Sequence, residues 1–580
     1  MTLSRLLSSF VLRHWRSYIL AALMLAAVAV LTVLIPRQVG RIVDALVANR
    51  LAGDALLTEL AKLLAMGLAI YFLRVGWRLQ LFSASYRLGV ELRTRLYRQL
   101  AAHGPAFFQR QRTGDLMARA TNDIDSVEMA AGEAMLAGFD GMLTLVLVLA
   151  MMTLGVDWRL ALAALLPFPL MALAFSRISN HIHREWGEAL SRFGQLNDHV
   201  QETLSGVRTL RALGLEARND AELSRLAAAA SDSSFEAQRW EAAFEPVVGA
   251  TLVFATLITL TVGGYLVWQG QLTIGALTSF NMYLVQLIWP MFAAGWVLSL
   301  LQRGAAAWLR LQPVLDEAPQ VADDGALDTL VPGALTVEEL TFHYAADAPA
   351  SLQQVGIQLP AGSTLGVVGP TGSGKSTLLK LLMRQYPLQQ GAIRWNGADI
   401  ADYRLATLRG AISWVPQEAF LFSATVAENI ALARPEASQQ DIERVTRQAA
   451  VHDDILRLPQ GYATPVGEKG VTLSGGQRQR LAIARALLAE APLLLLDDAL
   501  SAVDTETETR ILEHLRATRQ GRSVVIVSHR LSAVADADHI VVLQHGRIVE
   551  QGSHEQLLRQ AGWYAGQWRY QQLEASLDAI

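Results

Sequence analysis

Residues Gly369–Thr377 read GPTGSGKST, and the five residues before them, Thr364–Val368, read TLGVV. The first run is short, apolar and β-branched, the composition of a buried strand. The glycines that follow let successive backbone N–H groups turn toward one point, and the helix that opens at Lys375 adds positive potential there. Strand, glycine loop, lysine, hydroxyl and helix in this order form a phosphate-binding loop in its required context. In that pattern Gly369, Pro370, Thr371, Gly372, Ser373 and Gly374 make the cradle, Lys375 reaches the β- and γ-phosphates, and Ser376 is placed for Mg²⁺, with Thr377 beside it. A glycine-rich turn with a chance lysine is the bland alternative, and the context argues against it.

Outward from this loop the chain divides by composition. Its 580 residues are too many for one core. They are 52% hydrophobic, only 18% charged, and contain no cysteine, which excludes disulfides and thiol chemistry within the chain. A net charge of −4 gives no basic footprint for nucleic acid. From Leu335 onward, strand-like runs (Thr364–Val368, Leu493–Asp497, Ser523–Ser528) alternate with helical ones, the mark of an α/β domain. Before it, apolar stretches near Tyr18–Ile35, Leu57–Val75, Met135–Gly155, Leu160–Phe175, Val247–Trp268 and Ile274–Leu301 read as six membrane spans. The first exceeds the apolar length of a cleavable leader and reads as a retained anchor. Pro36 marks its expected end, and Pro167 and Pro169 interrupt the fourth span.

Gly155–Arg159 and Gln269–Thr273 are short connections that require antiparallel hairpins. Arg74–Glu133 and Arg177–Pro246 are long, polar and helical in pattern, so the second to fifth spans are expected to continue beyond the bilayer. Arg5, Arg13 and Arg16, then Arg74, Arg78, Arg87, Arg93, Arg95 and Arg98, put the N-terminus and the first long connection in the cytoplasm. Six spans return the chain to that side. The expected boundaries are a membrane domain over 1–311, a linker over 312–334 and a nucleotide-binding domain over 335–580.

The remaining motifs choose among the many uses of a phosphate loop. LSGGQ at Leu473–Gln477, followed by Arg478–Arg480, resembles the signature of ABC ATPases. Leu493–Asp497 resembles the strand that ends in a Mg²⁺-holding acid, Ser501–Asp504 (SAVD) the D-loop, Gln417 in VPQEAFLF the Q-loop glutamine and Mg²⁺ ligand, His529 the switch histidine, and Tyr344 the aromatic that stacks on adenine. Alone, Tyr344 reads as a core residue and His529 as a surface histidine; their order and spacing after the loop change that reading.

The resemblance covers the whole chain and is to ABC exporter half-transporters. It implies an exporter-type helical membrane domain followed by an α/β ATPase domain, ATP and Mg²⁺ as cofactors, and a bacterial inner membrane location. It also implies that Ser474, Gly475, Gly476 and Gln477 complete a nucleotide site on a second chain. Thr113–Asp125 and Gln201–Arg211 resemble the two coupling segments, and Gly467–Gly470 the loop that receives such contacts in exporters.

One position departs from the family. The residue after Asp497 is normally a glutamate that polarises the attacking water, and here it is Asp498. Nucleotide binding should survive while hydrolysis slows. That asymmetry implies a heterodimer with a different half-transporter; a homodimer with two slow sites is the alternative. The runs VHDDILRLPQGY (Val451–Tyr462), DDALSAVD (Asp497–Asp504) and RYQQLEA (Arg569–Ala575) resemble heterodimeric multidrug-resistance-like exporters. The implied cargo is a small amphipathic compound met among membrane lipids. A lipid flippase, an ATP-gated channel and an importer of exporter-like fold share this architecture.

Asp140, Asn281 and Gln286 either line a path or join helices by hydrogen bonds. Phe254, Tyr265, Phe280, Tyr283, Trp289, Phe292 and Trp296 either meet an aromatic cargo or pack.

Overall fold

The computed structural model describes residues 2–345, 347–467, 473–517 and 521–578. It divides into two compact units. One comprises the chain to Leu100 with Thr113–Glu317, and the other Ala101–Arg112 with the chain from Ala318 onward.

The first unit is helical, with 6 helical stretches long and apolar enough to cross a membrane. Asp157 caps the fourth by accepting from the N–H groups of Arg159 and Leu160, and Thr273 caps the last by accepting from Ala276 N–H, which fixes both short hairpins. The first helix, Trp15–Val47, runs through Pro36 instead of ending there. Proline lacks the N–H that the Thr32 carbonyl would accept in a helix. Gln286 Nε2 donates to that carbonyl at 3.0 Å, Tyr283 Oη to Val33 O at 2.9 Å and Ser279 Oγ to Pro36 O at 2.8 Å. The neighbouring helix thus repairs the proline site, as a bilayer without water requires. Gln286 therefore joins helices, and Phe280 and Tyr283 are fully buried packing residues.

Thr113–Asp125, expected to be the first coupling segment, belongs to this unit. Its Asp123 is buried and accepts from Arg310 Nε at 3.0 Å, so its charge is committed to a neighbouring helix. The segment that packs with the ATPase domain is Ala101–Arg112, through the short helix Pro105–Arg110. Phe107 is buried there and stacks on His103 at 4.2 Å, and Ala106 packs against the domain core. The second expected segment, Gln201–Arg211, breaks at Gly206 and continues as Val207–Ala212, a helix that buries none of its side chains.

In the second unit a six-stranded sheet runs in the order Arg547–Gly552, His539–Gln544, Thr364–Val368, Ser523–Val527, Leu493–Asp497, Ile412–Val415. All neighbours are parallel except the first pair. The central strands are buried on both faces, hence their unbroken Leu and Val content. A smaller antiparallel sheet packs beside it, ordered Leu352–Leu359, Leu335–Phe342, Gln390–Trp395, Ala398–Asp399. The segment before Leu335 is stitched to this domain: Arg384 Nη2 donates to Ala322 O at 3.1 Å and Leu405 N to Asp323 Oδ1 at 2.7 Å.

Candidate nucleotide site

The register of the parallel sheet gathers the chemistry. Val527 pairs with Asp497 and with Val367, so Gly369, Asp497, Asp498 and His529 leave the same, carboxyl end of three adjacent strands. That edge is where open α/β sheets bind ligands.

The loop after Val368 requires its glycines. Gly369, Gly372 and Gly374 have φ of 146°, 79° and 102°. A Cβ at Gly369 would lie 2.0 Å from Leu543 O, and one at Gly374 2.4 Å from Ser351 O. Ser373 Oγ is buried without a hydrogen-bond partner among the described residues. Lys375 Nζ donates to Gly369 O and Pro370 O, both at 2.9 Å, and so holds the loop curled around its own ammonium. Burial lowers the lysine pKa, opposed by Asp498 and Asp497. A curled loop, a buried ammonium, an orphaned hydroxyl and a helix N-terminus fit a polyphosphate.

Ser376 Oγ donates to Asp497 Oδ1 at 2.9 Å, bringing both sequence-proposed Mg²⁺ ligands together. Burial raises the Asp497 pKa, with Ser376 and Lys380 opposing it. Asp498 is 9% exposed and left-handed, with φ of 48°. Its backbone N–H donates to Val527 O at 2.8 Å, and its Oδ1 accepts a long contact of 3.4 Å from His529 N–H. Burial, then Lys375, lowers the His529 pKa below its ordinary 6.5, against the two aspartates. Tyr344 is 43% exposed, and its hydroxyl shares a hydrogen bond of 3.0 Å with Thr377 Oγ1.

Gln417 lies just beyond the strand next to Leu493–Asp497, with its side chain exposed. Ser474–Gln477 form a separate surface. Ser474 is the cap of the helix Gly475–Leu488, and a reciprocal pair closes it: Gln477 N–H donates to Ser474 Oγ at 3.2 Å and Ser474 N–H to Gln477 Oε1 at 3.0 Å. Among the described residues no hydrogen bond joins this segment to the phosphate loop of the same chain. Of the loop expected at Gly467–Gly470, residues 468–470 lie outside the described residues.

Sequence reading missed the residues that tie these loops together. The buried Gln479 side chain donates to Gln417 O and Ser501 Oγ, both at 3.3 Å, and accepts from Ala502 N–H at 3.0 Å. One amide thus bridges the loops around Gln417 and Ser501. Arg530 donates to Val503 O at 3.0 Å and to the buried Glu508 at 2.7 Å, linking the D-loop to the switch loop. Gln571 brackets the switch loop, donating to His529 O at 2.8 Å and accepting from Leu531 N–H at 2.9 Å. Position offers a signal only for Gln479, two residues past the signature.

This fold and site define a class. Residues 18–291 match the ABC transporter transmembrane region and residues 352–501 the ABC transporter ATPase domain. The chain belongs to the ABC transporter family, as a half-transporter with both domains fused. It is 45% identical to the multidrug resistance-like ATP-binding protein MdlA of Escherichia coli, over 99% of this chain and 97% of that protein. It is 38% identical to the probable multidrug resistance ABC transporter ATP-binding/permease protein YheI of Bacillus subtilis, over 97% and 96%. A solved bacterial Atm1-family ABC exporter with ATP bound superposes with a TM-score of 0.79 at 30% identity, covering 96% of this chain and 98% of that one. The protein is a multi-pass inner-membrane exporter subunit whose cytoplasmic ATPase domain uses ATP and Mg²⁺ to drive export. Exporters of this class act as dimers on amphipathic substrates.

Proposed function

We propose that this chain is the slow-site half of a heterodimeric exporter of drugs or other small amphipathic compounds, working with an MdlB-like second chain. The observation that carries the reading is the pairing of Asp498 with an intact Ser474–Gln477 segment, exposed at Ser474 and Gly475. When bound, Mg-ATP supplies the phosphoanhydride whose cleavage resets the transporter. Gly369–Thr377 would hold the phosphates, with Ser376, Asp497 and Gln417 as the Mg²⁺ ligands. Tyr344 would meet the base, and His529 the terminal phosphate. Asp498 stands where a general base orients water, one methylene short. A misplacement of about 1 Å costs on the order of 100-fold in rate. Ser474, Gly475, Gly476 and Gln477 would serve the partner's nucleotide, where the partner supplies its own glutamate.

The exposed helix Val207–Ala212, flanked by exposed Leu204 and Leu213, supports a second chain. Such a helix end suits docking on the partner's ATPase domain.

The test is ATPase activity of the purified chain alone and with its partner in liposomes. The chain alone should be slow and the pair fast and substrate-stimulated. Asp498→Glu should raise the rate of the chain alone on the order of 10-fold or more. Strong activity of the unmodified chain by itself would sink the asymmetry, and uphill transport by it alone would favour the homodimer.

A further inference from the structure

Four helices of the membrane unit enclose a cavity of 600 Å³. It adjoins a second of 400 Å³ that shares Arg74, Asp140 and Trp289. Each volume alone is in the range that holds a drug-sized molecule. The larger cavity is lined by Arg74, Arg78, Glu133 and Asp140, and by the indoles of Trp289 and Trp296. Asp140 lies within a span, and Arg74, Arg78 and Glu133 lie at or just beyond the cytoplasmic ends of theirs; charged side chains gathered around one cavity between membrane helices are normally neutralised by one another. Here they are not: among the described residues none of these four charged groups forms an ion pair. Among the described residues Asp140 has one polar partner, Trp289, whose Nε1 donates to it at 3.0 Å. The two indoles meet edge-on at 6.5 Å between centroids, and Arg78 lies over Trp77 at 5.4 Å. In the smaller cavity Gln286, whose amide nitrogen is taken by Thr32 O, leaves its Oε1 buried and unpartnered.

The lining therefore offers two carboxylates, two guanidinium groups and a pair of indoles. A cation alone would face two arginines, and an anion alone two acids. A neutral amphiphile would leave all four charges dependent on water. We infer that this cavity is the cargo-binding site of the chain and selects a zwitterionic amphiphile, with an ammonium at Asp140 and the indoles, an anionic group at Arg74 and Arg78, and an apolar body along Leu25, Val28 and Phe82. The inference rests on the export reading above and gives it a substrate class. A phospholipid such as phosphatidylethanolamine and a free zwitterionic compound carry the same chemistry.

The experiment uses the full heterodimer in phosphatidylglycerol liposomes and three probes of equal chain length: dodecylphosphocholine, dodecyltrimethylammonium and dodecyl sulfate, all below their micellar concentrations. The readout is the concentration that half-maximally stimulates ATPase. The zwitterion should act at a concentration about tenfold below either singly charged probe, the scale of one added charge-assisted contact. Asp140→Asn should erase its advantage over the sulfate, and Arg74→Gln its advantage over the ammonium, each read as a ratio between probes within the same variant. Equal responses to all three probes in the unmodified protein, or variants that shift all three alike, would overturn the inference while leaving export intact. No response to any amphiphile would overturn both readings. Adding phosphatidylethanolamine to the liposomes identifies the source. Competition with the zwitterionic probe assigns the site to the lipid, and its absence to a free compound, the selectivity for both charges standing in either case.

Discussion

The phosphate loop and the signature segment are both helix N-termini, and they differ in what they have left unsatisfied. The signature has closed on itself: Ser474 and Gln477 exchange two hydrogen bonds and stand ready on the surface. The phosphate loop is open, with a buried ammonium parked on its own carbonyls, an orphaned Ser373 hydroxyl and the left-handed Asp498 beside it. A capped helix end can serve another molecule's ligand without rearranging. A loop whose lysine is parked on its own carbonyls has donors to turn toward a ligand. The difference teaches that two helix N-termini in one domain can be prepared for unlike tasks, one closed by its own cap and one left with donors to satisfy; on the heterodimer proposed above, the closed one would serve the partner's nucleotide.

The widest separation between the two regions should appear in the ATPase of the proposed heterodimer. Ser474→Arg places a bulky cation at the cap and should cost on the order of 100-fold, the scale of losing an anion contact made in the transition state. Lys375→Ala in this chain should cost less than about tenfold if, as proposed, the site that loses its contact is the slow one. Both are read as steady-state turnover with the unmodified partner. Equal losses from the two variants would break the comparison.

How far these regions could be read in advance follows from how local their signals are. Gly369–Thr377 was legible because its chemistry lies within nine consecutive residues between a strand and a helix. Asp497, Asp498, His529 and Tyr344 were legible by order alone, and the parallel register then brought the first three to one edge. The helix Pro105–Arg110 was missed because six residues carry no periodicity, while the polar run at Thr113–Asp125 looked more like a docking face. In fact Asp123 serves Arg310. Pro36 was misread as an end because the partner for the Thr32 carbonyl, Gln286, lies 254 residues away. Gln479, Arg530 and Gln571 act through backbone groups of distant loops, so nothing in their neighbours in sequence announces them.

Gln479 offers a sharper test, since it ties the signature helix to loops on the phosphate side. Gln479→Ala would remove the acceptor from Ala502 N–H and a donor from Gln417 O. Ala502 and Gln417 are exposed, so water can take over both groups, and the loss falls on the alignment of the two loops; turnover should fall about tenfold, equivalent to about 1.4 kcal/mol in the barrier. A role in alignment lowers kcat and leaves the KM for ATP unchanged; a role only in stability lowers Tm and leaves both constants of the folded protein intact. Gln479→Glu keeps the acceptor for Ala502 and should recover part of the rate.

The smallest effect separates binding from catalysis on the phosphate side itself. Tyr344 is held by two edge-on rings, Phe342 at 5.0 Å and Tyr386 at 5.2 Å, and by the hydroxyl bond to Thr377. Its ring is therefore pre-positioned and partly exposed, as a base-stacking surface should be. Stacking of a base on an aromatic ring is worth about 1–3 kcal/mol, and a ring already solvated sits at the low end. Tyr344→Ala should then weaken binding of a fluorescent ATP analogue about fivefold in Kd, an amount that corresponds to about 1 kcal/mol. Tyr344→Phe keeps the ring and should change Kd by less than about twofold, since the bond to Thr377 is partly exposed and water can replace it. A full loss from the phenylalanine variant would mean that the hydroxyl, by steadying Thr377 beside Ser376, matters more than the ring. The binding role of this side of the chain would then begin at the Mg²⁺ pair and not at the base.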